Sequence, residues 1–155
     1  MSRLLLGLCV GSCLLTMRPT LMSAQDESYD ENALRVESRR GNLQIVRGIQ
    51  GTVVARSGWF HGPKVATLVS QSDSALAEAR AFERDYGPGQ YIAGLGIATF
   101  GAAIGASRIA DINAVIPTGL TIAAVSLITY GGTKLETAYR ALSKAIWWYN
   151  RDLKK

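Results

Sequence analysis

Two apolar runs, Tyr91–Ile109 and Ala114–Tyr130, lie back to back near the end of a 155-residue chain. They leave few folds open, because so much apolar surface must be covered by lipid or by a tight helix contact. Tyr91–Ile109 is 19 residues long, about 28 Å as a helix, close to the ~30 Å hydrocarbon core of a bilayer. Gly94, Ala98, Gly101 and Gly105 fall 4, 3 and 4 residues apart along it and share one helical face. Gly101 and Gly105 form a G-x-x-x-G pair, a spacing that lets backbones touch in lipid. In water each glycine weakens a helix by up to ~1 kcal/mol relative to alanine. The pattern therefore predicts a glycine-rich transmembrane helical hairpin over residues 91–130.

The second run carries a matching small face in Gly119, Ala123 and Ser126. Pro117 prefers the first turn of a helix. Counted from Pro117 to Tyr130 the run has only 14 residues, which suits a re-entrant segment. A start at Ala114, or continuation through Gly131-Gly132, lets it span. Arg108 and Asp111 are the charges of the turn and stand one helical turn apart. Tyr91 and Tyr130 lie at the same end of the hairpin and, with Trp147 and Trp148, are expected as interfacial anchors, since such rings favour the lipid–water boundary. Packing on the helical stretch Val65–Tyr86 is the alternative for Trp147.

The N-terminus has the grammar of a secretory signal peptide over residues 1–24: Arg3, an apolar stretch Leu4–Leu15, then Pro19 to Ala24 before the polar Gln25-Asp26. Ala24 suits the cut, whereas Met22 departs from the small residue usual two positions earlier. An uncleaved anchor is the alternative, with an apolar core short of the ~20 residues a span needs. Cys9 and Cys13 both fall inside this segment, so the mature chain is expected to have no disulfide, thiolate nucleophile or sulfur metal site. Losing Arg3 and Arg18 takes the formal charge from +5 to +3. Basic residues alternate with Glu37, Asp73, Glu78, Glu83, Asp85, Glu136 and Asp152. That mixture reads as a solvated surface rather than a nucleic-acid interface, with anionic lipid as a second partner.

Between signal and hairpin, residues 25–41 are polar and aperiodic and read as a flexible leader. Residues 42–90 read as an extramembrane unit. Leu43–Arg47 and Thr52–Arg56 flank Gly48-Ile49-Gln50-Gly51 as a short β-hairpin. An amphipathic helix is expected from Pro63, with Val65, Leu68, Val69, Leu76, Ala79, Phe82 and Tyr86 on its stripe. Ser72-Asp73-Ser74 can split it, with Ser72 or Asp73 as N-cap, and Gly87-Pro88-Gly89 is expected to end it. Residues 131–155 read as a C-terminal amphipathic helix, hinged at Gly131-Gly132 and opened by a capping box at Thr133-Lys134-Leu135-Glu136. Leu135, Ala138, Leu142, Ala145 and Tyr149 form its stripe. The fold class expected is thus mainly α with a short β-hairpin.

Catalytic chemistry is not evident. The single histidine, His61, sits in Trp59-Phe60-His61-Gly62-Pro63 without a triad around it. Glu78, Glu83 and Asp85 read as a solvated helix face. Gly94-x-Gly96 continues to Thr99 and follows no strand, so it is not a dinucleotide loop. No enzyme activity, cofactor or metal is expected.

The polar break within Leu68–Ala75, the glycine-rich apolar pair and the ending Ala145-Ile146-Trp147-Trp148-Tyr149-Asn150 resemble small exported bacterial membrane proteins of uncharacterised function, whose last helix often ends in Tyr-Asn. The resemblance covers residues 65–150 by pattern and lends no site. The anchoring hairpin, the many packing surfaces and the lack of chemistry point to a small integral membrane protein of the bacterial envelope, acting as an interaction module or an accessory subunit of a membrane complex. The expected partners are the bilayer and a protein or a second copy. A glycine-zipper pore, with Thr118, Thr121 and Ser126 lining a polar path, is the alternative. A soluble helical domain with the apolar pair as its core is the third. A cleaved signal puts both termini on the periplasmic side, against the positive-inside rule, because the flanks carry more Lys and Arg than the turn.

Overall fold

The computed structural model describes residues 29–39, 42–58, 62–109 and 113–154. The expected signal peptide, Trp59-Phe60-His61 and Asp111 lie outside them. Three strands, β1 (Leu34–Arg39), β2 (Asn42–Arg47) and β3 (Thr52–Arg56), form an antiparallel sheet in the order β1-β2-β3. Two long helices follow, α1 (Asp73–Ala106) and α2 (Val115–Asp152).

The expected hairpin is β2–β3. Gly48 and Gly51 have φ of 70° and 68°, a left-handed conformation that favours glycine, and they close the turn between the strands. The sequence reading missed β1, which lies in the expected leader. Its charges at Arg35, Glu37 and Arg39 hide the alternation, and only Leu34 is buried. A third strand also removes the instability of an isolated two-stranded hairpin.

No helix begins at Pro63. Val65 and Val69 are buried in successive turns, in which Val69 N–H donates to Val65 O at 3.2 Å and Ser72 N–H to Val69 O at 3.1 Å. The helix waits for Ser72, whose Oγ accepts from Ala75 N–H at 3.3 Å and donates to Asp152 Oδ2 at 2.6 Å. This residue caps α1 and ties its start to the end of α2.

Two expected breaks do not occur. The helix α1 runs through Gly87-Pro88-Gly89, although an interior proline costs about 3 kcal/mol and removes a backbone donor. Packing overrides that local cost: Gly89 is buried against Leu135 of α2. Similarly, α2 runs through Gly131-Gly132. Gly131 is present for close approach, not for bending: a Cβ there would come 2.5 Å from Ala93 N. The capping box is not formed. Thr133 Oγ1 instead donates to Tyr130 O at 2.8 Å, and Glu136 pairs with Arg140. Pro117 sits in the first turn of α2, as expected.

The helices are antiparallel in constant register. Ser72 meets Asp152, Glu78 meets Lys144, Tyr86 meets Tyr139, Gly89 meets Leu135, Ala93 meets Gly131, and Gly96 meets Ile128. The buried residues recur every seven positions: Ala75, Phe82, Gly89, Gly96 and Ala103 on α1, and Ala124, Gly131, Ala138 and Ala145 on α2. A seven-residue repeat is the signature of a coiled-coil seam. One half of the pair joins the sheet in a head whose core includes Leu34, Ile45, Val65, Phe82, Leu142 and Tyr149. Asn150 fixes β1 to α2: its Oδ1 accepts from Leu34 N–H and its Nδ2 donates to Leu34 O, both at 2.8 Å. The side chain thereby occupies the outer edge of β1 as a neighbouring strand would.

Candidate membrane-facing hairpin

Past Gly89 and Gly131 the helices continue without the sheet. No charged residue occurs between Asp85 and Arg108, or between Asp111 and Lys134. Both helices are long and apolar enough to cross a membrane. Only 17% of the most apolar stretch of α1 and 11% of that of α2 is buried, so these halves are not the core of the head. Leu95, Ile97, Phe100 and Ile104 are exposed on α1, as are Val115, Ile116, Ile122, Val125 and Ile128 on α2.

The seam between these halves is made of small residues, but not of those singled out in the sequence. A Cβ on Gly96 would meet Ile128 Cγ1 at 2.7 Å and Ile128 N at 2.8 Å. Ala103 and Ala124 are buried with it. By contrast, a Cβ on Gly94, Gly101, Gly105 or Gly119 would meet nothing within 4 Å, and Ala98, Ala123 and Ser126 are also exposed. The expected match of the two small faces within the hairpin is therefore not formed. Both faces point out of the pair.

Tyr91 and Tyr130 are exposed at one level, where Ala93 meets Gly131. The tryptophans lie elsewhere. With α2 unbroken, Trp147 is about 25 Å further along the axis than Tyr130, so the four rings do not share one belt. Trp147 is 58% exposed and meets Trp148 edge-on, with ring centroids 4.8 Å apart. Trp148 packs partly on the head core, with the Arg151 guanidinium 3.8 Å from its ring centroid.

A polar collar marks the junction of head and apolar hairpin. Asp85 is buried and accepts from Arg84 Nη2 at 3.1 Å and Lys134 Nζ at 3.3 Å. The hydrogen bond from Arg84 holds the Asp85 carboxyl below its ordinary value, with Lys134 acting in the same direction and burial opposing both. On another side of the seam, Gln90 Nε2 donates to the Tyr86 hydroxyl at 3.0 Å, and Tyr86 meets Tyr139 edge-on at 5.9 Å. Burial and Tyr86 raise the Tyr139 phenol above its ordinary value.

The hydroxyls of the apolar segments are internally satisfied. Thr99 donates to Leu95 O, Thr118 to Ala114 O, Thr121 to Pro117 O and Ser126 to Ile122 O, at 2.8–2.9 Å. Such back-bonding lets a hydroxyl face hydrocarbon without an unpaired donor. Among the described residues, no three His, Cys, Asp or Glu side chains gather as a metal site. No protein family, curated protein or solved structure matches this chain.

Proposed function

We propose that this chain is a small integral membrane protein of the bacterial envelope, anchored by the charge-free halves of α1 and α2, whose head and outward glycine faces bind a protein partner. The observation that carries this reading is the run of exposed large apolar side chains on the charge-free halves of both helices. Each side chain kept in water forgoes about 1.5–3 kcal/mol of transfer energy, and lipid removes that loss. A soluble monomer would leave the same residues in water.

The faces of Gly94, Ala98, Gly101 and Gly105, and of Gly119, Ala123 and Ser126, are open to a helix from outside the chain. They support the role of an interaction module or accessory subunit. The pore reading draws no support from Thr118, Thr121 and Ser126, because each already donates to its own helix. With the signal removed, the head and both termini lie on the periplasmic side.

Fractionation tests the anchor: the protein stays in the membrane pellet after alkaline carbonate, and recovery in the soluble fraction refutes it. A reporter fused after Lys155 tests the orientation: activity confined to the cytoplasm overturns the periplasmic assignment. Cross-linking in native membranes tests the module, which fails if the chain is recovered only as a monomer.

A further inference from the structure

The sheet ends at β1 in an edge that is only partly closed. Ala33 O accepts from Gly48 N–H at 2.9 Å, so Ala33 bonds on the β2 side. Leu34, one residue on, turns its N–H and C=O away from β2 to Asn150. Bonding direction alternates along an antiparallel strand, so Val36 and Ser38 also turn their N–H and C=O outward. Among the described residues, nothing bonds to those four groups, and every residue from Arg35 to Arg39 is exposed. An open edge of this kind is a template for another strand.

The charges on β1 decide which strand fits. Arg35, Glu37 and Arg39 alternate in sign along one face. Arg35 is engaged, donating to Gly48 O at 3.0 Å. Among the described residues, Glu37 and Arg39 have no ion-pair partner. A second β1, laid antiparallel on this edge, has few registers to choose from. Centred on Arg35, Glu37 or Arg39, it sets that residue against its own copy, and like charges directly opposite destabilise a strand pair. Centred on Val36, it sets Glu37 against the engaged Arg35 and needs the Leu34 groups that Asn150 already occupies. Centred on Ser38, it sets Glu37 of each copy against Arg39 of the other and leaves Leu34 with Asn150.

We infer that the outer edge of β1 binds a second copy of this chain, strand against strand and antiparallel about Ser38. Ser38 of each copy exchanges both backbone hydrogen bonds with the other, and a Glu37–Arg39 pair flanks it on either side. The same charges turn away strands that lack the matching pattern. This deepens the interaction-module reading, on which it rests, and is independent of the membrane anchor.

The test uses the full chain in density-matched mild detergent, with its mass read by sedimentation equilibrium. Wild type sediments at twice the chain mass. Glu37→Arg and Arg39→Glu each oppose like charges at two places, weaken the dimer roughly tenfold and keep the wild-type circular dichroism. E37R/R39E restores wild-type dimerisation, because the pairs are inverted rather than lost. With Cys9 and Cys13 replaced by serine, S38C links to its copy on mild oxidation, since Cα atoms of a hydrogen-bonded pair stand about 5.5 Å apart. V36C does not, being displaced from its copy by four residues, roughly 14 Å. A monomeric wild type, single variants that dimerise like wild type, a double variant no tighter than the single ones, or linking by V36C in place of S38C overturns the inference. A purified monomer that still cross-links to another protein in native membranes overturns the dimer and spares the module, whereas a monomer in both settings overturns the two together.

Discussion

The contrast between Gly131 and Gly101 yields the sharpest prediction. Both lie inside a helix, and alanine at either gains up to ~1 kcal/mol of intrinsic helix propensity. Their surroundings differ. At Gly131 the new methyl would sit 2.5 Å from Ala93 N and 2.9 Å from Ala93 Cα and Cβ. Two of these atoms are backbone, so the helices must move apart rather than one side chain turn away. Overpacking of this kind costs about 1–3 kcal/mol. At Gly101 the methyl meets nothing within 4 Å. Propensity cancels between the two variants, leaving G131A less stable than G101A by about 1–3 kcal/mol. Unfolding in mild detergent, followed by far-ultraviolet circular dichroism, measures this. Ala93→Gly rescues G131A only in part, because it removes the Cβ clash and leaves the backbone contact. If G131A is as stable as G101A, the assignment of the seam is wrong.

Replacing both Gly101 and Gly105 by leucine leaves secondary structure and membrane association as in wild type, since neither touches α2; cross-linking yield to a partner or second copy is the quantity that falls. Asn150→Leu deprives Leu34 N–H and Leu34 O of their partners, at about 1–3 kcal/mol for each buried group left unpaired; hydrogen exchange accelerates across β1 while the helical amides keep their protection, and Asn150→Asp, which keeps only the acceptor, falls between. Asp85 has a depressed folded-state pKa, so its contribution is complete above its ordinary value near 3.8 and is lost as the pH falls through the lower folded value. Stability of wild type therefore drops more steeply than that of Asp85→Asn below about pH 4, and parallel acid titrations by circular dichroism check this.

Much of the architecture is legible in local sequence, and the misses share a physical cause. The apolar lengths, the β2–β3 turn and the Ser72 cap depend on neighbours a few residues away. By contrast, β1 pairs with β2 next to it in the chain, but its charges mask the strand pattern, and its outer edge is met at Leu34 by Asn150, 116 residues distant, a contact no local pattern reports. Gly87-Pro88-Gly89 and Gly131-Gly132 read as breaks because helix propensity is a local quantity, whereas the observed helices are stabilised by packing across the seam.

The choice of glycine face has a further lesson. Spacings of 4, 3 and 4 identify a face made of small residues but not what that face meets. Extending each face by sevens into the head separates the alternatives. From Gly101 and Gly94 the series reaches Gly87 and Arg80, from Gly105 and Ala98 it reaches Tyr91 and Arg84, and from Gly119 and Ser126 it reaches Thr133 and Arg140. From Gly96 and Gly89 it reaches Phe82 and Ala75, and from Gly131 it reaches Ala138 and Ala145. A helix carries each face continuously from its charge-free half into the head. A face that must be solvated in the head is therefore an outer face of the apolar half, and one buried in the head continues as the seam. The glycines on the solvated faces thus point away from the pair, whereas those on the buried faces are the contacts that hold the two helices together.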